Sequence, residues 1–496
     1  MKFLRASLLL LLAVAVLSAC RKDEQFTDDP GARLEFSRDT VLFDTVFSTL
    51  TTSVTKRFTV RNRNDQAVRV DIALEGGSPS PYRINVDGAS GLTFSEVEIL
   101  GGDSLFVFVE VLPGQGGVNT PFIVEDRILF NTNGNEQEVL LVAWGQDAHI
   151  FRPDRSIPGF PDFSIIAGLD DQGNPTCETV TWPNDKPYVI YGYAVVDSCS
   201  TLQIDPGVKV YFHGSSGLWV YRYGRLLAQG TVDDPIIFQG DRLEPDYQDL
   251  PGQWDRIWLN EGAAGQDHEL EHVEIRNSLI GIQCETFPLN PLEPTSEAKL
   301  KLDNAKIFNA SLAGILSRNF RIESTNLLVA DCGQYCVALT GGGQYSFRQS
   351  TLVNYWTWDI RQDPAFILTN TFQDITGTVQ VRDVEASTFV NGMIYGFNTN
   401  EFLVEVDNAA NVDYTFANWL FRTDQPTNDP VHFPDQASIY RNQAPAFVSI
   451  GSQDFHLTDQ DVAARDRGQF IPDALFDLDG NLRDGQPDLG CYEFVP

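Results

Sequence analysis

Length, composition and charge narrow the class of protein before any motif is considered. The chain has 496 residues, more than one ordinary domain contains, and 68 Asp and Glu against 35 Lys and Arg give a formal net charge of −33. Such a charge argues against nucleic acid or bare anionic lipid as a partner. It permits divalent cations such as calcium, although a high acid count mostly keeps a surface soluble.

The first nineteen residues have the pattern of a secretory signal peptide. Lys2 and Arg5 supply a positive start, and the apolar run 8–17 is too short for a membrane span, which needs about 20 apolar residues. The segment 17–20, Leu-Ser-Ala-Cys, resembles the lipobox of bacterial lipoproteins. That resemblance implies that Cys20 carries lipid and begins the mature protein. The alternative is an ordinary secretory signal followed by an incidental cysteine.

Residues 20–33 are predicted to form a polar tether between the lipid and the folded part. Arg21 stands where an aspartate resembles an inner-membrane retention signal, and Lys22, Asp23 and Glu24 resemble the surface-export signal of some Gram-negative lineages. This resemblance implies an outer-membrane lipoprotein that faces the cell exterior. A merely solvated tether is the alternative.

Six cysteines remain beyond Cys20, and an oxidising compartment allows them up to three disulfides. Cys177 with Cys199 and Cys332 with Cys336 are nearest in sequence and are the candidate pairs. Sequence spacing alone leaves the pairing open.

Residues 34–148 are predicted to form a β-sandwich. About eight short strand-like runs, several of them alternating between apolar and polar residues, are separated by turn residues at 62–65, 101–103 and 132–135. The segment resembles the immunoglobulin-like modules that precede larger domains in bacterial surface lipoproteins. It shows no catalytic constellation, and we interpret it as a spacer.

Short alternating strands recur after a connector and N-terminal cap at 149–200. The runs 202–212, 217–220, 224–231, 235–238 and 256–259 are joined by Gly or Asp turns, which suggests three strands per coil. They resemble the right-handed parallel β-helix of pectate-lyase-like proteins, and we predict this fold for 201–420. The whole chain is therefore expected to be all-β.

A recurring turn residue supports the β-helix. An apolar residue is followed two positions later by Asn or Asp in seven places, where a side-chain amide can satisfy backbone groups once per coil. The alternative is a second sandwich with coincidental spacing. The polar members are Asn277, Asn309, Asp331, Asn354, Asp374, Asn391 and Asn418.

Residues 421–496 are predicted to hold the last coils and a C-terminal cap, because 454–457 and 477–494 resemble the closing segment of bacterial β-helix proteins. Asp477, Asp479 and Asn481 alternate as calcium ligands can, but the spacing and terminal glutamate of an EF-hand loop are missing. We therefore favour a tight turn there and predict no metal site.

The β-helix resemblance implies carbohydrate as the ligand. Whether the protein binds or cleaves it must be judged from the candidate catalytic side chains, because a fold does not establish an activity. Asp359, Arg361 and Asp363 are candidate catalytic groups, but no lyase or hydrolase spacing is present, and we interpret them as solvated surface. The histidines are scattered. Only His268 and His272 are close, and their spacing of four suits a helix, which the strand pattern disfavours.

Aromatic residues are the better candidates for a ligand site, since sugar rings pack their C–H faces on aromatic rings. Alternation directs Leu218, Val220 and Leu226 inward, so their neighbours are predicted to point outward. The predicted ligand-binding residues are Trp219, Tyr221, Tyr223, Trp356 and Trp358, with Trp254 and Trp258 as additions to the same wall. A covered strip, packed under a loop, is the alternative.

The sequence therefore predicts a lipid-anchored surface protein that binds glycan, or another envelope or surface partner such as a protein, without catalysis and without a cofactor. A polysaccharide lyase or glycoside hydrolase and a purely structural envelope component are the alternatives.

Overall fold

The computed structural model describes residues 25–47, 55–114, 122–170, 172–243, 245–286, 290 and 292–496. The predicted signal peptide, Cys20 and the export signal at 22–24 lie outside these residues. Within the described ranges, no helix is both long and apolar enough to cross a membrane. The chain divides into two compact units, residues 1–147 and 148–496.

The first unit is the predicted β-sandwich. One sheet has the strand order β1-β3-β8-β5-β6 and the other β2-β10-β9-β4-β7. Alternation places one side of each strand in a shared core, as in Val68, Val70 and Ile72 of β4, which meet Val60 and Val107 from the opposite sheet. The strands are β1 (Leu34–Phe36), β2 (Thr40–Phe47), β3 (Lys56–Asn62), β4 (Val68–Leu74), β5 (Tyr82–Val86), β6 (Ala89–Gly91), β7 (Thr93–Ile99), β8 (Ser104–Val111), β9 (Phe122–Thr132) and β10 (Asn135–Gln146).

The second unit is a parallel β-helix, which confirms the predicted fold class. In its first half each strand pairs in parallel with the third strand after it, so three strands make one coil. These strands are β11 (His149–Phe151), β12 (Phe163–Ala167), β13 (Thr179–Trp182), β14 (Tyr188–Ile190), β15 (Tyr193–Val196), β16 (Thr201–Ile204), β17 (Lys209–Phe212), β18 (Gly217–Val220), β19 (Arg225–Gln229), β20 (Ile236–Gly240), β21 (Ile257–Leu259), β22 (His268–Glu271), β23 (Val273–Arg276) and β24 (Ile280–Glu285).

Longer strands run through a corner of the coil in the second half. Strand β25, for example, pairs with both β22 and β23. The remaining strands are β25 (Lys299–Phe308), β26 (Ala313–Ala330), β27 (Tyr335–Asn354), β28 (Phe366–Thr369), β29 (Thr371–Gln373), β30 (Val379–Val381), β31 (Val384–Gly396), β32 (Phe402–Glu405), β33 (Val412–Phe421), β34 (Ile439–Arg441), β35 (Phe447–Ser449) and β36 (Asp454–Leu457). Three 3-10 helices cover Pro245–Tyr247, Gln436–Ser438 and Ile450–Ser452.

The coil begins earlier than the sequence pattern indicated. Strands β11 to β16 lie largely within the predicted connector 149–200, yet they pair in register with the later coils. Their irregular spacing hides the repeat in the sequence. The predicted disulfide Cys177–Cys199 joins the turns that precede β13 and β16, and so links two successive coils.

The other candidate cysteine pair is not bonded. Cys332 and Cys336 are free, buried thiols, as are Cys284 and Cys491. Burial raises the pKa of the Cys336 thiol, and the neighbouring Cys332 raises it further.

The interior of the coil is a set of apolar stacks. Val220 and Leu226 point into it and have no exposed surface, as predicted. Leu226 stands in register with the position of His268, and His268 with Leu300. His268 therefore lies inside the coil on a strand, where its Nδ1 accepts from the Leu226 amide at 3.2 Å and burial lowers its pKa to about 4.

The recurring Asn and Asp residues belong to two rows of turns rather than one. Asn277, Asn309 and Asp331 share one corner, in register, with φ of 63°, 55° and 55°. Another corner holds His272, Asn304, Asn326, Gln349, Asn391 and Asn418, also at positive φ. The left-handed conformation at each corner favours Asn and Asp, which explains the repeat. Asp374 lies elsewhere, in the β29–β30 hairpin.

The C-terminal segment packs along a side of the coil instead of over its end. After β34 the chain turns back, and Phe455, Leu478 and Leu489 cover the outward-facing Leu328 and Met393.

The second row of corner amides holds the same segment. Asn326, Asn391 and Asn418 donate to the carbonyl oxygens of Phe476, Gln469 and Arg467 at 2.9, 2.6 and 2.8 Å. Asp477 closes a turn by accepting from the amides of Asp479 and Asn481 at 3.0 and 2.7 Å, as predicted.

Candidate functional site

The predicted aromatic strip does not form an open surface. Trp219 points out of the coil, as expected, but is only 6% exposed. Its ring is stacked between Phe160 and Trp258, with centroids at 5.5 and 4.8 Å, and its Nε1 donates to Asn260 at 2.8 Å. We call these three aromatic residues the Trp219 cluster. The segment that carries Phe160 folds over the strand, which alternation alone does not reveal.

The other residues of the predicted strip are dispersed. Tyr221 is half-buried at the edge of the Trp219 cluster, whereas Tyr223 is 47% exposed. Trp254 lies inside the coil, stacked on Phe212 at 4.1 Å. No continuous aromatic wall therefore joins these residues.

Trp356 and Trp358 instead line a cleft of about 580 Å³, which we call the Trp358 cleft. Its floor includes Asn309 and Asp331 of the first row of corner residues, and its walls come from four separate segments: the loop after β20, the loop after β27, the segment after β31 and a turn of the C-terminal segment. The residues that line the cleft include Asp249, Arg276, Asn309, Asp331, Tyr355, Trp356, Trp358, Phe397 and Gln453.

The aromatic wall of the cleft is open to solvent. Trp358 is 54% and Phe397 57% exposed, a large exposure for apolar side chains in a concave site. Tyr355 packs edge-on against Phe397 at 5.1 Å, and Trp356 is buried with its Nε1 donating to Asp359 at 2.5 Å. Tyr355 thus supports Phe397, one of the two rings that a ligand can reach.

The floor of the cleft is polar, and most but not all of the polar groups named below have hydrogen-bond partners. Gln453 Nε2 donates to Asn309 Oδ1 at 2.8 Å and to Asp331 Oδ2 at 2.7 Å, and the Tyr355 amide donates to Asp331 Oδ1 at 3.0 Å. Asn309 is only 3% exposed, and among the described residues its Nδ2 has no hydrogen-bond partner. A buried amide donor without a partner is costly, and a ligand or water can satisfy it.

Negative charge predominates in the cleft. Burial raises the pKa of Asp331, which Asp249 raises further, while Gln453, the Tyr355 amide and Arg361 lower it. Arg276 also lines the cleft, but its guanidinium is paired with Glu274 and lies over the Phe308 ring at 4.6 Å. The two carboxylates therefore outweigh the one arginine, which already has a partner.

A buried ion pair fixes the loop that carries the cleft aromatics. Arg361 is bonded to Glu401, and Glu401 also accepts from the amides of Ala365 and Asn398 at 2.9 and 2.8 Å. Arg361 was expected to be solvated surface, and that expectation is wrong: its hydrogen bonds tie the two ends of the loop together. Asp363 accepts from Tyr335 at 3.2 Å, so it too serves the structure.

Sequence reasoning identified Trp356 and Trp358 but missed most of the cleft. Asn309 and Asp331 carried a signal, since both belong to the recurring corner residues, yet they were interpreted as structural only. Asp249, Phe397 and Gln453 had no signal, because the fold brings them together from segments far apart in the sequence.

A larger depression of about 670 Å³ lies on the sandwich unit and is lined by residues that include Arg83, Asn85, Phe108 and Glu110. It offers one half-buried aromatic ring and borders on Thr55, where the described residues begin again. We therefore place the candidate site in the Trp358 cleft. In the described part of the chain, no group of three His, Cys, Asp or Glu residues is arranged to hold a metal ion.

No family model and no curated protein matches the chain. Among solved structures the chain is similar to the chaperone DraB of E. coli at 12% identity and TM-score 0.17, covering 26% of this chain and 58% of that one. A chain of the SafA pilin–SafB chaperone complex of Salmonella enterica matches at 10%, covering 25% and 57%, with TM-score 0.18. The CooA pilin subunit of enterotoxigenic E. coli matches at 10%, covering 23% and 97%, with TM-score 0.17. The chain spans less than two thirds of the first of these, and likenesses at this level carry no argument about function.

Proposed function

We propose that this is a lipid-anchored cell-surface protein whose β-helix binds glycan in the Trp358 cleft without catalysing a reaction. The observation that carries the proposal is the exposed pair Trp358 and Phe397 beside the polar floor of Asn309 and Asp331. Ligand pockets typically combine apolar rings with a few convergent polar groups.

Each part of the cleft suits one part of a sugar ring. The faces of Trp358 and Phe397 offer contact area to the apolar C–H face of a sugar. Asp331 accepts hydrogen bonds from hydroxyl groups, and the unpartnered Nδ2 of Asn309 supplies a donor. The ion pair between Arg361 and Glu401 holds the loop in place, so little conformational entropy is lost on binding.

The anchor is part of the same proposal and rests on the sequence. Lys2, Arg5 and the apolar run 8–17 fit a secretory signal, and Cys20 is the residue that would carry lipid. Two or more acyl chains hold a protein on a membrane durably, because each buried methylene contributes about 0.8 kcal/mol. Outward display follows from residues 22–24, and the sandwich unit would act as a spacer.

Glycoside hydrolysis is the second candidate function, and Asp331 is the observation that favours it. A glycosidase needs one carboxyl group with a raised pKa as general acid and a second carboxylate, and Asp331 and Asp249 offer both features. Against this, the Tyr355 amide and Gln453 donate to the two oxygens of Asp331, which stabilises its ionised form.

One experiment tests the anchor and the glycan site together. The variant Cys20→Ala should move from the membrane fraction to the soluble fraction, because the lipid bond requires the thiol. This soluble form is then incubated with a panel of polysaccharides and scored for retention and for new reducing ends. In the same background, Trp358→Ala should weaken retention several-fold, about 1 kcal/mol of ring contact.

Tyr223→Ala is the matched control, because it removes an exposed aromatic ring on the coil outside the cleft and should leave retention unchanged. Retention that depends on Tyr223 and not on Trp358 would move the site back to the predicted strip. Membrane association of Cys20→Ala that only detergent releases would contradict the anchor. If new reducing ends form and Asp331→Asn abolishes them, the protein hydrolyses glycan, and the proposal of binding without catalysis is wrong.

A further inference from the structure

The charges around the Trp358 cleft restrict the kind of glycan that fits it. Asp249 and Asp331 both line the cleft, and among the described residues neither forms an ion pair with a Lys or Arg. The cations nearby are already neutralised, Arg276 by Glu274 and Arg361 by Glu401. The cleft therefore has two carboxylates in excess, on a chain whose formal net charge is −33.

An acidic sugar would meet repulsion at this position. A uronate brings a carboxylate toward Asp249 and Asp331 and needs a cation or a metal to neutralise it, and the paired state of Arg276 and Arg361 leaves neither guanidinium free for that role. The acidic polysaccharides suggested by a pectate-lyase-like coil are thus a poor match for this cleft.

A cation is favoured by the same groups. An ammonium ion is attracted both to carboxylates and to the faces of aromatic rings, and Trp358 and Phe397 are exposed on the wall of this cleft. The amide Nδ2 of Asn309, buried and without a partner among the described residues, is a donor in the floor that an acceptor atom of a ligand can satisfy. A sugar that carries both an amino group and hydroxyl or ring oxygens meets all three requirements.

We propose that the Trp358 cleft selects glycans with a free, protonated amino group, such as oligomers of glucosamine, over N-acetylated or acidic glycans. The ammonium group lies between the carboxylates of Asp249 and Asp331, and the sugar ring packs on Trp358. This inference rests on the proposed glycan site and adds the chemical class of its ligand.

Three tetrasaccharides separate the contributions, measured by titration calorimetry on the soluble Cys20→Ala protein. The glucosamine tetramer and its N-acetylated counterpart share the same ring faces, but only the former carries charge. We expect the amino form to bind about three- to five-fold more tightly, the upper range for one partly exposed charge pair. A galacturonate tetramer should not bind, and added salt should weaken binding of the amino form alone.

Asp249→Asn tests the carboxylates directly. It should lower the affinity for the glucosamine tetramer about three- to five-fold while changing that for the N-acetylated form less than two-fold. Asp233→Asn is the matched control, because it removes the same charge from an exposed site on the coil that does not line the cleft. Equal losses in both variants would show long-range electrostatics and overturn the assignment.

The outcomes distinguish this inference from the glycan site on which it rests. Equal or tighter binding of the N-acetylated tetramer, still weakened by Trp358→Ala, overturns the selection for amino sugars and leaves the glycan site intact. No binding of any tetrasaccharide overturns both. A lysine tetrapeptide that binds as tightly as the glucosamine tetramer would show that the cleft recognises cations in general, and would overturn the assignment to a sugar.

Discussion

The Trp219 cluster and the Trp358 cleft are two groups of aromatic side chains outside the interior of the same coil, and they differ in what covers them. Trp219 is stacked between Phe160 and Trp258 and its Nε1 is bonded to Asn260. Trp358 has no such cover and stands in a concave site with polar groups beneath it. Direction relative to the coil is thus a local property, whereas exposure depends on segments distant in sequence.

The chemistry of the two places differs accordingly. A ring buried on both faces contributes packing energy and cannot reach a ligand, while an exposed ring adds little to folding and is available for binding. Substitutions in the coil beneath the Trp219 cluster, in the cluster itself and in the interior that both places share test this difference.

Val220→Asp should have the largest effect. Val220 follows Trp219 and points into the apolar interior, where an unpaired carboxylate costs several kcal/mol. We expect the β-helix unit to lose its folded state while the sandwich unit persists, so that thermal unfolding shows the loss of one transition.

Gln203→Asp is the control for Val220→Asp, since Gln203 is an exposed residue on strand β16. Its unfolding should match that of the unchanged protein. A stable β-helix in Val220→Asp would show that residue 220 faces outward, and it would reverse the directions assigned to both residues 219 and 220.

Trp219→Ala should cost about 3–5 kcal/mol of folding free energy, because it removes a ring packed on both sides. Glycan retention should be unchanged at temperatures where the variant remains folded. Denaturant unfolding and retention, measured on the same preparation, check both halves of this expectation. A variant with unaltered stability and lost retention would make the Trp219 cluster the binding site.

The pH dependence of stability should be smaller, and its sign follows from His268. The pKa of His268 falls from 6.5 in the unfolded chain to about 4 in the folded one, mainly through burial. Between these values the unfolded state binds more protons, so stability is complete above about pH 6.5 and is lost as the pH falls toward 4. The loss is up to about 1.4 kcal/mol for each pH unit.

His268→Gln should flatten this acid slope of the thermal midpoint. His456 gives a control of opposite sign, because its hydrogen bond to Asp479 raises its pKa above 6.5. The stabilisation from His456 is present below pH 6.5 and is lost as the pH rises through the raised pKa, so His456→Gln should leave the acid slope in place. An unchanged slope in His268→Gln would contradict the buried neutral histidine. Any loss of glycan retention below pH 6.5 must be corrected for this unfolding before it is assigned to the cleft.

Prediction from sequence worked best where one residue and its neighbours decide the outcome. The strands, the inward direction of Val220 and Leu226 and the turn at Asp477 all follow from local alternation and turn chemistry. The Cys177–Cys199 bond was named as a candidate on nearness in sequence, which suffices when one coil separates the partners. The early coils were missed because β11 to β15 are too irregularly spaced to show a repeat.

Prediction failed where distant segments meet. The sequence around Arg361 suggests a surface residue. In the fold, however, Arg361 donates to Glu401, forty residues later, and both side chains are buried. Asn309 and Asp331 were recognised only as turn residues, since Gln453 and Asp249, which meet them in the cleft, come from other parts of the chain.

Local sequence patterns account for the all-β character of this protein, for the order of sandwich and coil, and for which side chains leave the interior of a strand. These properties depend on period, turn residues and composition, which act over a few neighbouring residues. The packing of distant segments, in contrast, makes Phe160 cover Trp219, leaves Trp358 open, and places two carboxylates beneath Trp358 with the nearby cations already paired. Whether a ring is covered and whether a charge is paired depend on all the segments that pack at one place. Those contacts cannot be inferred from the neighbouring residues in the sequence.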